Sequence, residues 1–122
     1  AGTCSVLEHG YLTRVERPHG LPRGRRQEGA CTAQGVVLRD VVYPRQDTYV
    51  ELDGRLFHDS ADRRDRDLDR DLEAAAEGRH TVRLGWGQVF ARPCRTAGHL
   101  GRLLAHRGWP GVIRPCGPGC AV

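Results

Sequence analysis

The sequence predicts a mixed α/β protein, an α+β domain built on a mixed sheet. Two runs rich in β-branched and aromatic residues, 36–43 and 48–52, flank the turn 44–47, which is typical of a β-hairpin. Segments with apolar residues at helical spacing precede and follow this hairpin. The expected order of elements is therefore helix, three strands, helix, strand, helix.

The first helix is predicted from a capping box at its start and from a periodic apolar face. Ser5 and Glu8 have the spacing of that box, in which the Glu8 carboxylate reaches back to the helix start. Helical spacing then relates Leu7, Tyr11, Leu12 and Val15, and Pro18 is expected to end the helix. Residues 28–33 are predicted to form the first strand.

The second half of the chain contains two predicted helices and one strand. Asp59 or Ser60 is expected to cap a helix that ends at Gly78, with a thin apolar stripe formed by Leu68, Leu72, Ala75 and Ala76. Residues 81–84 form the next strand. Pro93 opens the last helix, which Gly108 closes and whose core face comprises Ala97, Leu100, Leu103 and Leu104.

Length and composition favour a single domain over residues 1–122, with an irregular Gly- and Pro-rich tail from about residue 110. The formal net charge is +4, which is compatible with a polyanionic partner but does not require one. The chain has Arg but no Lys, so no lysine ammonium group is available for catalysis. No apolar run is long enough to span a bilayer, which predicts a soluble, cytoplasmic protein. The absence of Met predicts a processed chain or a fragment of a longer chain with additional domains.

The five cysteines are an odd number without a CxxC pair, which argues against a disulfide framework. Cys116 and Cys120 are the only close pair. They can supply half of a zinc site together with Cys94 or a His, close a small disulfide loop, or remain free thiols, which is the expectation. Cys4 and Cys31 are not expected to bind metal.

The hairpin also gathers carboxylates. If Tyr43 pairs with Thr48, Asp40 lies directly opposite Glu51, and Glu51 shares a face with Asp53. Like charges at this distance are destabilising unless a cation or a shared proton relieves them, and a hard divalent metal prefers oxygen ligands. The alternative is a solvated polar edge with a different register.

The order of elements and the motifs resemble a known family. VVLRDVVYP, YVELDGRLFH, DLDRDLEAAAEG and TVRLGW are similar to successive motifs of the Vsr-like branch of the PD-(D/E)XK endonucleases. The matching positions are Ser5, Glu8, Asp40, Glu51, Asp53, Gly54, His58, Asp67, Arg70, Asp71, Gly78 and Arg83. Asp53 stands where the named signature has Lys. The resemblance implies a restriction-endonuclease-like αβββαβ core with an additional C-terminal helix.

The resemblance also implies a mechanism. Asp40 and Glu51, with the Leu52 carbonyl, would hold a Mg²⁺ or Mn²⁺ ion that polarises the scissile phosphate and activates water. Asp53 would complete the metal shell or orient that water. His58 would act as general acid or base, or else be a hydrogen-bonded structural histidine. Glu8 would approach the metal, or only cap its helix.

The expected partner is DNA. Arg70 and Arg83 would contact phosphate or, as the favoured alternative, form structural ion pairs with the carboxylates. Arg23, Arg25 and Arg26, in the loop 19–26, would face the phosphate backbone or lie in a solvated loop. The first hypothesis is a metal-dependent DNA endonuclease. The alternative is a catalytically inactive nuclease-fold module for DNA binding or regulation, and a third is a zinc or redox module built on Cys94, Cys116 and Cys120.

Overall fold

The computed structural model describes residues 3–27, 38–54 and 61–122. It has three α-helices and four strands among these residues, in the order predicted, and the mixed α/β class is confirmed. A π-helical stretch, Gly87–Ala91, lies between the last strand and the last α-helix. The elements are α1 (Thr3–Gly10), β1 (Arg25–Gln27), β2 (Leu38–Tyr43), β3 (Thr48–Asp53), α2 (Ala61–Ala76), β4 (His80–Leu84) and α3 (Pro93–His106).

The sheet has the strand order β1-β2-β3-β4, with β1, β2 and β3 antiparallel and β4 parallel to β3. The predicted hairpin register is confirmed, because Tyr43 pairs with Thr48 and Asp40 with Glu51. A 3₁₀ turn at Pro44–Gln46 makes the connection, and Asp47 adopts a left-handed conformation at φ 50°. Asp tolerates this region better than most residues, which explains why the turn ends at this position.

The first helix differs from the prediction at its start. It begins by Thr3, so Ser5 is inside the helix and Glu8 is not in its first turn. The capping box is therefore wrong. The helix continues from α1 into a π-helical stretch, Tyr11–Glu16, and ends before Pro18 as expected.

The predicted strand at residues 28–33 lies outside the described residues, and β1 is observed earlier, within the predicted loop 19–26 and at Gln27. The tail after Trp109 has no regular secondary structure, as predicted.

The core lies between one face of the sheet and the helices α1 and α3. Side chains alternate along a strand, so Val50 and Leu52 point into this core while Tyr49, Glu51 and Asp53 point to the opposite face. The core members on the helices are Leu7, Tyr11, Val15, Ala97, Leu100 and Leu104. Their helical spacing explains why the sequence predicted them correctly.

Helix α2 covers the opposite face of the sheet, but its predicted apolar stripe does not face the sheet. Leu68 and Leu72 are 66% and 70% exposed, and Ala74 is the buried apolar residue among the described side chains of this helix. The face of α2 that meets the sheet carries charged residues, which form ion pairs described below. Among the described residues, no helix combines the length and apolar character that crossing a bilayer requires.

Candidate metal centre

Glu51 lies in the middle of β3, on the face of the sheet that α2 covers, and its side chain is almost completely buried. Its Oε1 accepts a hydrogen bond from Nη2 of Arg70 on α2. Its Oε2 accepts one from Nε of Arg83 on β4, at 2.9 Å. Both carboxylate oxygens are therefore engaged by guanidinium groups, which is the structural alternative that the sequence favoured for these arginines.

The ion pairs extend beyond Glu51. Arg83 lies 3.3 Å from Asp67 and from Asp71, two residues on the inner face of α2, and 3.9 Å from Asp53. Partial burial alone would lower the pKa of Arg83, but its hydrogen bond to Glu51 and the negative charges of Glu51, Asp67 and Asp71 raise it above the usual value. Arg83 therefore fixes α2 against the sheet as a permanent cation.

The prediction of a Mg²⁺ or Mn²⁺ cofactor is wrong. A hard divalent ion needs free oxygen ligands, whereas the oxygens of Glu51 accept hydrogen bonds from two cationic side chains that would repel it. The group of side chains with metal-binding geometry, among the described residues, is formed by cysteine and histidine and lies elsewhere in the molecule. Such ligands select a soft metal such as zinc.

The structure places the other residues of the predicted magnesium site as follows. For Asp40 the structure describes only the backbone, which pairs with Glu51. Leu52 is paired with strands on both sides, and its buried side chain belongs to the core. Glu8 lies 3.5 Å from Arg26. His58 lies outside the described residues.

The predicted phosphate contacts are partly available. Arg23, Arg25 and Arg26 are exposed, in the loop before β1 and on β1 itself. Arg70 and Arg83 are engaged with Glu51, so they do not offer free guanidinium groups to a phosphate.

The candidate metal centre comprises His19, Cys94, Cys116 and Cys120, whose ligand atoms all lie within 4.8 Å of one another. Three separate segments supply them. His19 lies in the turn after the first helix, Cys94 in the first turn of α3 directly after Pro93, and the last two in the tail. Gly119, at φ +85°, lets the chain turn between Cys116 and Cys120.

The geometry suits a tetrahedral zinc ion. Sulfurs bound about 2.3 Å from a tetrahedral zinc lie about 3.8 Å from each other. Sγ of Cys94 is 3.5 Å from Sγ of Cys116, and Sγ of Cys120 is 3.7 Å from Nε2 of His19. The first distance is much longer than the bond of about 2.05 Å in a disulfide, and the three thiols are free.

The histidine is oriented for metal binding by its environment. His19 is completely buried, and its Nδ1 lies 2.8 Å from the carbonyl oxygen of Val15. A proton on Nδ1 donated to this carbonyl leaves the lone pair of Nε2 directed at the cysteines, which is the usual arrangement of a zinc-bound histidine. Cys₃His with four protein ligands is a closed, structural type of site.

The thiols differ in acidity. Hydrogen bonds from the backbone at Cys116 and Val122 lower the pKa of the Cys120 thiol to about 6. Hydrogen bonds with the side chains of Cys120 and Cys116 raise the pKa of Cys94 to about 12. Metal binding at this centre would displace protons from the thiols, because cysteine binds a metal ion as the thiolate.

The sequence identified part of this centre. It offered Cys116 and Cys120 as half of a zinc site completed by Cys94 or by an unspecified histidine, as one alternative to free thiols. His19 was missed because it precedes Cys94 by 75 positions, a separation with no characteristic ligand spacing. The prediction that Cys116 and Cys120 lie close in space is confirmed.

Comparison with known proteins gives no match to this chain, whether to a family model, a curated protein or a solved structure.

Proposed function

We propose that this chain is a zinc-stabilised module that binds nucleic acid without cleaving it. Zinc at the Cys₃His centre would join the tail to α3 and to the turn after the first helix. The resemblance of the hairpin and α2 motifs to the Vsr-like endonucleases makes DNA the nucleic acid to test first.

The observation that carries the proposal is a segregation of charge along the chain. Seven of the 19 arginines, and none of the 15 acidic residues, follow Gly78. Helix α3 and the tail are therefore uniformly basic, although the net charge of the whole protein is only +4. A cluster of cations without interspersed acids is the electrostatic pattern of a phosphate-binding surface.

Helix α3 displays this charge on one side. Arg95, His99, Arg102 and His106 recur at intervals of four, three and four, and all are exposed. The opposite side, including Leu100 and Leu104, is buried in the core. Among the described residues, Arg107 pairs with Asp47 at 3.7 Å, whereas Arg95 and Arg102 take part in no ion pair. Arginines without carboxylate partners are available to phosphates.

The contacts of Glu51 support the proposal that the module does not cleave nucleic acid. A carboxylate whose two oxygens bind Arg70 and Arg83 is not a ligand for a catalytic divalent ion. A closed zinc site with four protein ligands also leaves no open position for an activated water.

Fluorescence anisotropy with labelled DNA, over a range of salt concentrations, tests nucleic-acid binding. The double variant Arg95→Ala/Arg102→Ala should reduce affinity and lower the magnitude of the salt slope by about 2, because each lost phosphate contact removes roughly one unit. The matched control is Arg66→Ala, an exposed arginine on the acidic helix α2. Equal effects of the two changes, or no binding by the wild type, would contradict the proposal.

Elemental analysis of protein purified without added metal tests the zinc centre. One zinc ion per chain is expected, and His19→Ala or Cys120→Ser should remove it. His106→Ala, which changes an exposed histidine at the end of α3, should retain it. Wild-type protein that contains no zinc and does not bind added zinc would contradict this part of the proposal.

A further inference from the structure

A groove runs along α3 on the side next to its basic stripe. Its volume is about 720 Å³, which is within the range of volumes of ligand-binding clefts. Small residues of α3 form one wall, including Gly98 and Ala105, and the tail forms the other with Trp109, Val112 and Ile113. The groove is therefore apolar at its base.

The rim of the groove is basic. Arg95, His99 and Arg102 line it together with the apolar residues, and Nη2 of Arg102 lies 2.7 Å from Nδ1 of His99. The residues that line the groove include no Asp or Glu side chain. An occupant with an apolar face flanked by negative charges would complement this groove.

Helix α2 exposes such a face. Leu68 and Leu72, four residues apart, project from the same side of the helix and are 66% and 70% exposed. Asp65 and Asp69 lie on that side as well, at helical spacing from the leucines, and both are exposed. The acids that hold α2 to the sheet are different ones, Asp67 and Asp71.

We propose that the α3 groove of one copy binds the α2 helix of a second copy of this chain. Leu68 and Leu72 would enter the apolar base, while Asp65 and Asp69 would pair with Arg95 and Arg102 on the rim. This is the helix-in-groove mode of recognition, in which apolar anchors at i and i+4 provide affinity and flanking charges set orientation.

The length of the α3 groove matches the length of the outward face of α2. The part of α3 that lines the groove, residues 94–105, rises about 16 Å, and the outward face of α2 from Asp65 to Ala76 rises the same distance. The two surfaces are different patches of the same chain. Each groove–helix contact is therefore heterologous. A closed dimer forms only if the groove of the second copy also binds α2 of the first copy.

The proposed contact uses the arginines that the proposed function assigns to phosphates. Nucleic acid and the second copy's α2 then compete for Arg95 and Arg102. The acidic helix occupies the basic surface in the absence of nucleic acid, and DNA should dissociate the associated form.

Sedimentation velocity of the zinc-loaded full chain, over a roughly hundred-fold range of concentration, tests the inference. The wild type should associate at low salt and dissociate at high salt. Leu68→Ser/Leu72→Ser should remain monomeric with unchanged zinc content, and it should bind DNA at least as tightly as the wild type, because no second copy competes for Arg95 and Arg102. The matched control is Val6→Ser, which changes a half-exposed apolar residue on α1 and should associate like the wild type.

A charge exchange identifies the surfaces. Arg95→Glu/Arg102→Glu and Asp65→Arg/Asp69→Arg should each fail to self-associate, and an equimolar mixture of the two should associate. A wild type that stays monomeric at every concentration overturns the inference, as does a mixture that fails to associate. Association that survives Leu68→Ser/Leu72→Ser also overturns it, because the chain then associates without the exposed leucines of α2. None of these outcomes alters the DNA and zinc tests of the proposed function.

Discussion

At Glu51 one buried carboxylate is shared between two arginines from different elements. Arg70 comes from α2 and Arg83 from β4, so the carboxylate links the helix to the sheet. Glu51 is 3% exposed, and removal of its charge would leave the two cations facing a neutral group in a largely dehydrated place. The role indicated by these contacts is structural.

The corresponding prediction is that Glu51→Gln lowers the free energy of unfolding by about 3 kcal/mol, the low end for a broken buried pair, since both arginines are partly exposed. Urea denaturation monitored by circular dichroism measures this loss. The matched control, Glu73→Gln, changes an exposed glutamate on α2 and should cost less than about 0.5 kcal/mol. A stable Glu51→Gln protein that had lost a Mg²⁺-dependent nuclease activity of the wild type would show that Glu51 is catalytic instead.

Glu16 is a second buried carboxylate, on the other side of the sheet from Glu51. Its Oε2 accepts hydrogen bonds from the Tyr43 hydroxyl at 2.8 Å and from the Gly24 N–H at 3.3 Å. The Tyr43 hydroxyl also lies 2.7 Å from that of Tyr11. Burial raises the pKa of Glu16 above its usual value, although the Tyr43 and Gly24 hydrogen bonds oppose this shift.

A raised pKa makes stability depend on pH in a defined direction. Between the unfolded-state pKa, 4.5, and the higher folded-state pKa, the folded protein keeps a proton that the unfolded chain has released. The contribution of Glu16 to stability is therefore fully present below the unfolded-state pKa. It is lost as the pH rises through this window and stays constant above it.

Glu16→Gln should remove this loss, because a neutral amide oxygen can accept the same hydrogen bonds at every pH. The free energy of unfolding of the variant, minus that of the wild type, should become more positive between pH 4 and pH 7. Urea titrations across this range measure the difference. A difference independent of pH would show that Glu16 does not titrate in this window.

Among the elements, α2 shows how a helix can be fixed to a sheet by charge. Its inner face carries Asp67, Arg70 and Asp71, which pair with Arg83 and Glu51, and its leucines point outward. An ion pair with a buried carboxylate, such as that of Glu51 with Arg70 and Arg83, contributes less net stability than an apolar contact of the same size, but it defines one orientation.

Replacement of the outward leucines should therefore have little effect on folding. At protein concentrations where the chain is monomeric, Leu68→Ala and Leu72→Ala should each change the free energy of unfolding by less than about 0.5 kcal/mol. Leu100→Ala, on the buried side of α3, should lower it by about 2–5 kcal/mol. Thermal and urea denaturation provide the comparison, and a large loss at Leu72 would mean that α2 packs through its leucines.

In the molecule as a whole, the candidate metal centre brings together segments that are far apart in the sequence. The tail, which has no regular secondary structure, is held at its end by Cys116 and Cys120 and by the Arg114 N–H, which donates to the His19 carbonyl at 2.8 Å. Ile113 also packs closely against Gly101, where a Cβ atom would lie 2.4 Å from its Cγ2. These contacts build one wall of the α3 groove.

Removal of zinc should loosen this wall without unfolding the sheet. On chelation, the amide of Arg114 should exchange its hydrogen faster, whereas the amides of Val41 and Val50 in the sheet should keep their protection. Hydrogen-exchange mass spectrometry distinguishes the two regions. Equal loss of protection in tail and sheet would indicate instead that the metal is required for the entire fold, as in small zinc modules.

Local patterns in the sequence determined the element order, the hairpin register and the core faces of α1 and α3. Each of these depends on neighbours in the chain: the turn 44–47 fixes the pairing of Asp40 with Glu51, and a 3.6-residue period marks Leu7, Tyr11 and Val15 as buried. The same patterns failed at α2, where the periodicity of Leu68 and Leu72 was correct but their direction was not. Periodicity shows that residues share a face, not which face meets the sheet.

Only the tertiary structure decided which groups meet across long separations. Glu51 meets Arg83 because β4 runs parallel to β3, and His19 meets Cys94 because the turn after the first helix packs beside the start of α3. The hairpin alone gathers carboxylates, and from these the sequence predicted a magnesium site. The arginines that neutralise Glu51 come from α2 and β4, and the histidine of the candidate metal centre comes from the opposite end of the chain. A metal site depends on charge and ligand geometry in three dimensions, which spacing along the chain does not determine.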